Sequence, residues 1–267
     1  SQSKMRVDVT LEVEPPTGHC LLDDSTKTPN GVFDVRLFRN RQMVAYRDGR
    51  IKGNKVIFKG VQLPVSDAQD VTFSAYAFNC DRVKSLTTFK SYQFEKVKNK
   101  KPARTYIISV GVNAFDSSDW NLRYAVNDAK LFQEILPDSI ANSRSNNVVS
   151  LGLYAELKNK KTTILPTKEN LKVIFDILGG QPQTKRVRKL YPWAKRLKEA
   201  RPSDRVIVTF ATHGFRTKDG GFYLFPSDTG RSSSSDGLPA LNRLVSATEL
   251  QAWFRDIDAG EFLMVID

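Results

Sequence analysis

Residues 204–228 read DRVIVTFATHGFRTKDGGFYLFPSD, and they decide the fold of the second half of the chain. The run Arg205–Ala211 is apolar and rich in β-branched residues over one strand length, which predicts a central parallel strand buried on both faces. His213 follows this strand, and open α/β sheets place their binding and catalytic residues at the carboxyl ends of the strands. A polar, hairpin-like segment comes next.

A lone histidine at such a place is often a satisfied surface residue, but two features favour a function for His213. The chain contains only 2 histidines in 267 residues. Its final run, FLMVID at 262–267, predicts a second buried strand that brings the Asp267 carboxylate to the same sheet edge.

Strand and helix patterns alternate from residue 105 to residue 267. Thr105–Val112 and 148–157 read as buried strands, and apolar residues at helical spacing predict a helix over 124–136. Helix start signals occur at Thr167 and in the capping box at Ser246 and Glu249, and the Gly179-Gly180 pair predicts a helix end. Such alternation predicts an α/β fold with a parallel sheet between helix layers.

Residues 1–98 show the different pattern of an all-β domain. Five runs alternate apolar and polar residues at period two, and turn signals such as PPTG at 15–18 and RDGR at 47–50 lie between them. We expect a small Ig-like β-sandwich with an architectural or docking role, followed by a basic linker at 99–104.

The net charge of +12 raises the question of nucleic-acid binding. The excess is concentrated in 82–104, with eight basic residues against one acid, and in 185–205, with nine against two. Tyr191 and Trp193 within the second stretch are suited to base stacking. A helical surface insertion with its aromatic rings packed inward is the favoured interpretation, because charge runs usually mark solvated faces.

Cys20 and Cys80 are the only cysteines, too few for a disulfide framework, and we expect them to be reduced. His19 beside Cys20 leaves a nucleophile–base pair as an alternative. No apolar stretch approaches the roughly 18 residues of a membrane span, and no signal-peptide pattern opens the chain. The sequence therefore predicts a soluble, cytoplasmic protein without a membrane partner.

Five segments in the second half resemble the caspase-like cysteine peptidases, in particular the prokaryotic orthocaspase and metacaspase branch. They are YIISVGVNAF (106–115), LRYAVNDAKLF (122–132), DRVIVTFATHG (204–214), GFYLFPSD (221–228) and VID (265–267), and they occur in the order of that family. The resemblance implies a caspase-like α/β/α sandwich and a cysteine endopeptidase that cuts protein or peptide substrates.

The resemblance also implies roles for residues around the histidine. His213 is the general base and acid of a thiolate attack, Gly214 supplies an oxyanion N–H, and Ala211 and Thr212 contact substrate. In the family the strand ending in Asp continues as Asp-x-Cys, so the nucleophile is expected two residues after Asp267, in a C-terminal small-subunit segment. We expect residues 1–267 to be inactive alone.

Substrate specificity follows from the same resemblance. Metacaspases use two acids, which match Asp128 and Asp267 here, and paired acids hold the guanidinium of Arg or the ammonium of Lys. Caspases that cut after Asp use an Arg in the segment entering the first helix, where this chain has Leu122, with Arg123 beside it as the alternative. The sequence indicates no metal in the reaction, although calcium activation is frequent among metacaspases.

Two interpretations from other functional classes stay open. In the first, the domain is a catalytically silent caspase fold that only binds partners. In the second, the basic insertion at 185–205 binds nucleic acid. In bacterial proteins of this resemblance an upstream β-propeller often precedes the sandwich, so a propeller or another partner protein is expected.

Overall fold

A computed structural model describes residues 5–20, 30–64, 70–95, 102–141, 147–157, 164–232 and 237–267. The chain divides into two compact units, residues 1–101 and residues 102–267. This division falls within the predicted linker 99–104, of which residues 99–101 lie outside the described residues.

The first unit is built from antiparallel strands, which the alternating pattern of its sequence favours. They are β1 (Arg6–Glu12), β2 (Phe33–Arg39), β3 (Gln42–Arg50), β4 (Lys55–Gln62), β5 (Asp70–Phe78) and β6 (Thr88–Gln93). β1 and β4 form one sheet, and the other four form a second sheet in the order β3-β2-β5-β6. One hydrophobic core contains residues of both sheets, among them Leu37, Phe58 and Phe73.

Two expectations for this unit are wrong. RDGR at 47–50 is not a turn but the end of β3, where Gly49 has a φ of +75° and its N–H donates to the Asp34 carboxylate at 2.6 Å. Cys20 and Cys80 are not reduced thiols, because they form a disulfide with their Cα atoms 5.7 Å apart. Two cysteines cannot build a framework, but they suffice for one bond, and disulfides are typical of oxidising surroundings.

The second unit alternates strands and helices. Its main elements are β7 (Thr105–Val112), α1 (Ala125–Ala141), β8 (Val148–Ala155), α2 (Lys168–Leu178), α3 (Lys185–Leu190), β9 (Arg205–Ala211), α4 (Ala247–Arg255) and β13 (Glu261–Ile266). β7, β8, β9 and β13 pair in parallel in the order β13-β9-β7-β8. Three short strands, β10 (Gly214–Arg216), β11 (Phe222–Leu224) and β12 (Val245–Ser246), form a small antiparallel sheet. The predicted α/β fold with a parallel sheet is confirmed.

Helices cover both faces of the parallel sheet. Tyr106 and Ile108 of β7 belong to the large core that includes residues of α2 and α4, whereas Ile107 packs with Ile140 of α1 on the other face. The start of α1 lies close to β7 at Gly111, where an added Cβ would meet the Ala125 carbonyl oxygen at 2.7 Å. This close approach fixes the first turn of α1 at the carboxyl end of β7.

Predicted helix ends agree with the structure where side-chain chemistry defines them. Thr167 accepts a hydrogen bond from the N–H of Asn170, and α2 ends before Gly179. Ser246 and Glu249 form the capping box of α4. The prediction fails for α1, which continues to Ala141 through Pro137 instead of ending at residue 136.

The amino ends of β7 and β9 are joined by a buried ion cluster. Asp204, 1% exposed, accepts hydrogen bonds from the backbone N–H groups and the guanidinium groups of both Arg104 and Arg201. Burial alone would raise the pKa of the Asp204 carboxyl, but the hydrogen bonds from the two arginines outweigh burial and hold the pKa below its usual value.

Candidate functional site

His213 lies directly after the central strand β9, at the carboxyl edge of the parallel sheet, as the sequence predicts. Its Nε2 lies 2.9 Å from the backbone carbonyl oxygen of Trp120, which ends a short 3₁₀ helix, Ser118–Trp120. A carbonyl oxygen can only accept, so Nε2 carries the hydrogen in this bond. The remaining ring nitrogen, Nδ1, is then the basic one.

Aromatic rings hold the imidazole in place. The ring centroids of Phe115 and Phe225 each lie 5.6 Å from that of His213, and the Trp120 ring packs edge-on against Phe225 at 5.5 Å. Phe115 and Phe225 are buried, whereas the imidazole is only half-buried. The ring is therefore fixed in orientation and still reachable from solvent.

Gly214 begins β10 and faces Leu224 of β11. The N–H of Phe225 donates to the His213 carbonyl, and that of Thr217 donates to the Gly221 carbonyl. Hydrogen-bonded and non-hydrogen-bonded pairs alternate along an antiparallel ribbon, so the Gly214–Leu224 pair is a non-hydrogen-bonded one. The Gly214 N–H therefore points away from β11. This backbone donor, which lies beside the imidazole, is not used in the pairing with β11.

The two residues before His213 are held by the fold. Ala211 is the last residue of β9, is 5% exposed and pairs with Gly111 of β7. The Thr212 hydroxyl donates to the Phe225 carbonyl oxygen at 2.7 Å. Thr212 therefore anchors the histidine loop through its side chain.

Asp128 and Asp267 both lie at the carboxyl edge of the sheet. Asp128 stands in the first turn of α1, above the end of β7, and Asp267 follows β13, where its N–H donates to the Phe210 carbonyl at 2.8 Å. β9 separates β13 from β7 in the sheet order. Within the described part of the chain neither carboxylate has an ion-pair partner.

Asn113 and Trp120 are site residues that sequence reasoning missed. The buried Asn113 side chain donates to the Arg123 carbonyl and accepts from the N–H of Val126, both at 3.2 Å, and so ties the end of β7 to the start of α1. An amide directly after a buried strand was a usable signal for Asn113. None existed for Trp120, because it acts through its backbone carbonyl. The side chain of Arg123 is exposed, whereas Leu122 packs against the core.

The 267 residues contain no free thiol, because their only two cysteines form the disulfide. The alternative of a His19–Cys20 catalytic pair is therefore wrong. No group of three or more His, Cys, Asp or Glu side chains that could hold a metal ion occurs in the described ranges. Calcium activation stays a prediction.

The basic insertion is a helical surface segment. α3 and a 3₁₀ helix, Pro192–Arg196, form most of it, and Tyr191 and Trp193 pack against the core of the second unit. The Tyr191 hydroxyl also donates to the Glu169 carboxylate at 2.5 Å. A helical surface segment with its aromatic rings packed against the core agrees with the favoured interpretation, and both rings are partly buried. Nucleic-acid binding stays a prediction.

Comparisons with known proteins add little. No protein-family model matches the chain, and no curated protein matches it. Among solved structures, an acetyl xylan esterase, Est2A, from the rumen bacterium Butyrivibrio proteoclasticus is similar at 13% identity and a TM-score of 0.21, over 97% of this chain and 72% of the esterase. That TM-score supports no inference about fold or function.

No helix in the described residues is long and apolar enough to cross a membrane.

Proposed function

We propose that the second unit is the histidine-bearing part of a caspase-like cysteine endopeptidase. The observation that carries the proposal is the fixed His213 imidazole at the carboxyl edge of a parallel sheet, with Nε2 bonded to the Trp120 carbonyl. That bond leaves Nδ1 as a base next to an open backbone N–H at Gly214. These are the two groups that an acyl transfer needs besides its nucleophile.

The nucleophile in this proposal is a cysteine that follows Asp267 in an Asp-x-Cys sequence. Nδ1 of His213 takes the thiol proton, the thiolate attacks the peptide carbonyl, and the imidazolium then protonates the leaving amine. The Gly214 N–H donates to the oxyanion of the tetrahedral intermediate. The Trp120 carbonyl stabilises the imidazolium and fixes its orientation.

In this proposal, β13 supports a further segment that carries the cysteine. β13 is an edge strand of the parallel sheet, and Leu263 and Ile266 are 54% and 43% exposed on its two faces. Parallel sheets are normally covered on both faces, so an additional strand and its helix would bury these side chains. We accordingly propose that the second unit is a caspase-like α/β/α sandwich. For the first unit, with its two antiparallel sheets around one core, we propose an Ig-like sandwich.

We further propose cleavage after Arg or Lys. Asp128 and Asp267 are carboxylates at the sheet edge that carries His213, and neither has an ion-pair partner among the described residues. A pair of acids left without cations in the protein is suited to the guanidinium or ammonium of a substrate. Ala211 and Thr212 contribute backbone groups beside the same site.

The test is turnover of fluorogenic peptides by the chain extended through the Asp-x-Cys sequence to the end of the domain, with residues 1–267 alone as comparison. We expect activity only in the extended chain, on Arg and Lys substrates. His213→Ala should lower activity by about three orders of magnitude or more, because the base and nucleophile act as a unit. His19→Ala is the matched control and should have no effect.

Three outcomes contradict parts of this proposal. Turnover by residues 1–267 alone that His213→Ala abolishes would show that no added cysteine is required. An inactive extended chain would favour the silent, partner-binding alternative. Preference for Asp substrates, unaffected by Asp128→Ala or Asp267→Ala, would reassign the specificity pocket to Arg123.

A further inference from the structure

A groove of about 620 Å³ in the first unit lies between the edge strands β1 and β6. Buried apolar side chains of the second sheet, Leu37, Phe73 and Ala75, form its floor. Val9 and Leu11 of β1 line one side and are only half-buried. Val9 and Leu11 therefore expose apolar surface in the groove, above a floor that is itself closed to solvent.

Both sides of the groove carry unpaired backbone. Among the strands of the described residues, β1 pairs only with β4, and β6 pairs only with β5. In an antiparallel strand half of the N–H and C=O groups point to each side, so each of these strands presents a row of open donors and acceptors. An edge of this kind pairs with an added extended strand.

One charge lies on the core-facing side of β6. Thr88, Lys90 and Tyr92 stand opposite Ala75, Phe73 and Val71 of β5 in the pairing register, so all three face the groove. Lys90 is exposed, and in the described part of the chain it has no ion-pair partner. The groove thus combines apolar positions with one cation on its core-facing side, whereas the carboxylates of Asp8 and Glu12 line it from the exposed face of β1.

We propose that this groove binds an extended segment of a partner protein by strand addition. The inward positions of the segment, every second residue, are apolar except for one Asp or Glu, whose carboxylate reaches Lys90. A second copy of this chain is a poorer occupant. Its β6 would bring another Lys90, and the core-facing residues of its β1, Val7, Val9 and Leu11, include no carboxylate.

The experiment is selection of displayed linear peptides on the intact 267-residue chain. Alternate library positions are Thr or Ser, and the positions between them vary among Val, Ile, Leu, Phe, Asp, Glu and Lys. We expect enriched peptides to carry one acid among apolar inward residues. Lys90→Glu should weaken a selected peptide about tenfold or more and shift selection toward Lys, because it reverses the charge pair.

Lys59→Glu, an equal charge change on β4 outside the groove, is the control and should change neither result. Hydrogen exchange with the selected peptide bound should protect amides in β1, in β6 or in both. Failure to enrich any peptide, indifference to Lys90→Glu, or binding without that protection would overturn the proposal. Concentration-dependent dimerisation that protects the same amides would overturn it in favour of a second copy.

Discussion

Asp204 shows how a single buried carboxylate couples folding to pH. Because the folded state lowers its pKa, the Asp204 contribution to stability is fully present above the unfolded pKa of about 4. That contribution is lost as the pH falls through the lower folded pKa. We predict that Asp204→Asn lowers the free energy of unfolding near neutral pH by about 3 kcal/mol, because two arginines lose their buried counter-charge.

Chemical denaturation between neutral and acid pH measures this effect. The loss caused by Asp204→Asn should shrink at acid pH, where the native carboxylate becomes protonated as well. Glu261→Gln breaks the exposed pair with Arg205 and serves as the control, with an expected change of about 1 kcal/mol or less. A pH-independent loss at Asp204 would contradict the assigned charge role.

Asn113 tests whether one amide fixes the start of α1. Asn113→Ala removes the acceptor of the buried Val126 N–H, and we predict a loss of about 1–2 kcal/mol in the free energy of unfolding. Asn113→Asp keeps the acceptor for the Val126 N–H and places a negative charge at the helix start, but it loses the amide that donates to the Arg123 carbonyl. It should therefore lower stability less than Asn113→Ala, which loses both hydrogen bonds. Denaturation combined with hydrogen exchange at Val126 measures both variants, and equal losses would refute the specific contact.

At the scale of elements, the packing of α1 on β7 depends on a glycine. A Cβ at position 111 would lie 2.8 Å from the Val126 Cα and from the Ala129 Cβ as well as close to the Ala125 carbonyl. We predict that Gly111→Ala lowers the free energy of unfolding by about 3 kcal/mol, because backbone must move to admit the methyl group. Thermal and denaturant unfolding provide the measurement.

Ser109→Ala is the matched control for that substitution, two residues earlier on the same face of β7. The Ser109 hydroxyl is buried and has no hydrogen-bond partner among the described residues, so its removal should change stability by less than about 1 kcal/mol. Equal stability of Gly111→Ala and the wild-type protein would show that α1 can shift away from the sheet without cost.

Elements were predictable where local chemistry and tertiary packing agree. The runs at 105–112 and 205–211 are largely apolar and form β7 and β9, and the caps at Thr167 and Ser246 lie where their side chains indicated. β3 escaped prediction because RDGR has turn chemistry, yet pairing with β2 holds it in a strand. Tertiary contacts override propensity at such places.

At the scale of the whole molecule, the sequence located His213 but not the contacts that orient it. The Trp120 carbonyl lies 93 residues away in the chain, and a backbone acceptor leaves no residue-type signal. The same limit applies to the disulfide, because a spacing of 60 residues says nothing about proximity. The position of a residue along a strand can be predicted from sequence, whereas contacts between residues far apart in the chain cannot.

The Cys20–Cys80 disulfide yields a prediction for the chain as two units. Both cysteines belong to the first unit, and their bond closes a loop with a sequence separation of 60 residues. Constraining the unfolded chain over such a loop stabilises by about 4 kcal/mol. We predict that the Cys20→Ser, Cys80→Ser double variant lowers the stability of residues 1–101 by up to that amount and leaves the unfolding of residues 102–267 unchanged.

Hydrogen exchange resolved along the chain measures both units, and wild-type protein under reducing conditions is the control that should reproduce the variant. Equal destabilisation of both units would show that they unfold as one body, and no loss in the first unit would show that the bond contributes nothing to its stability.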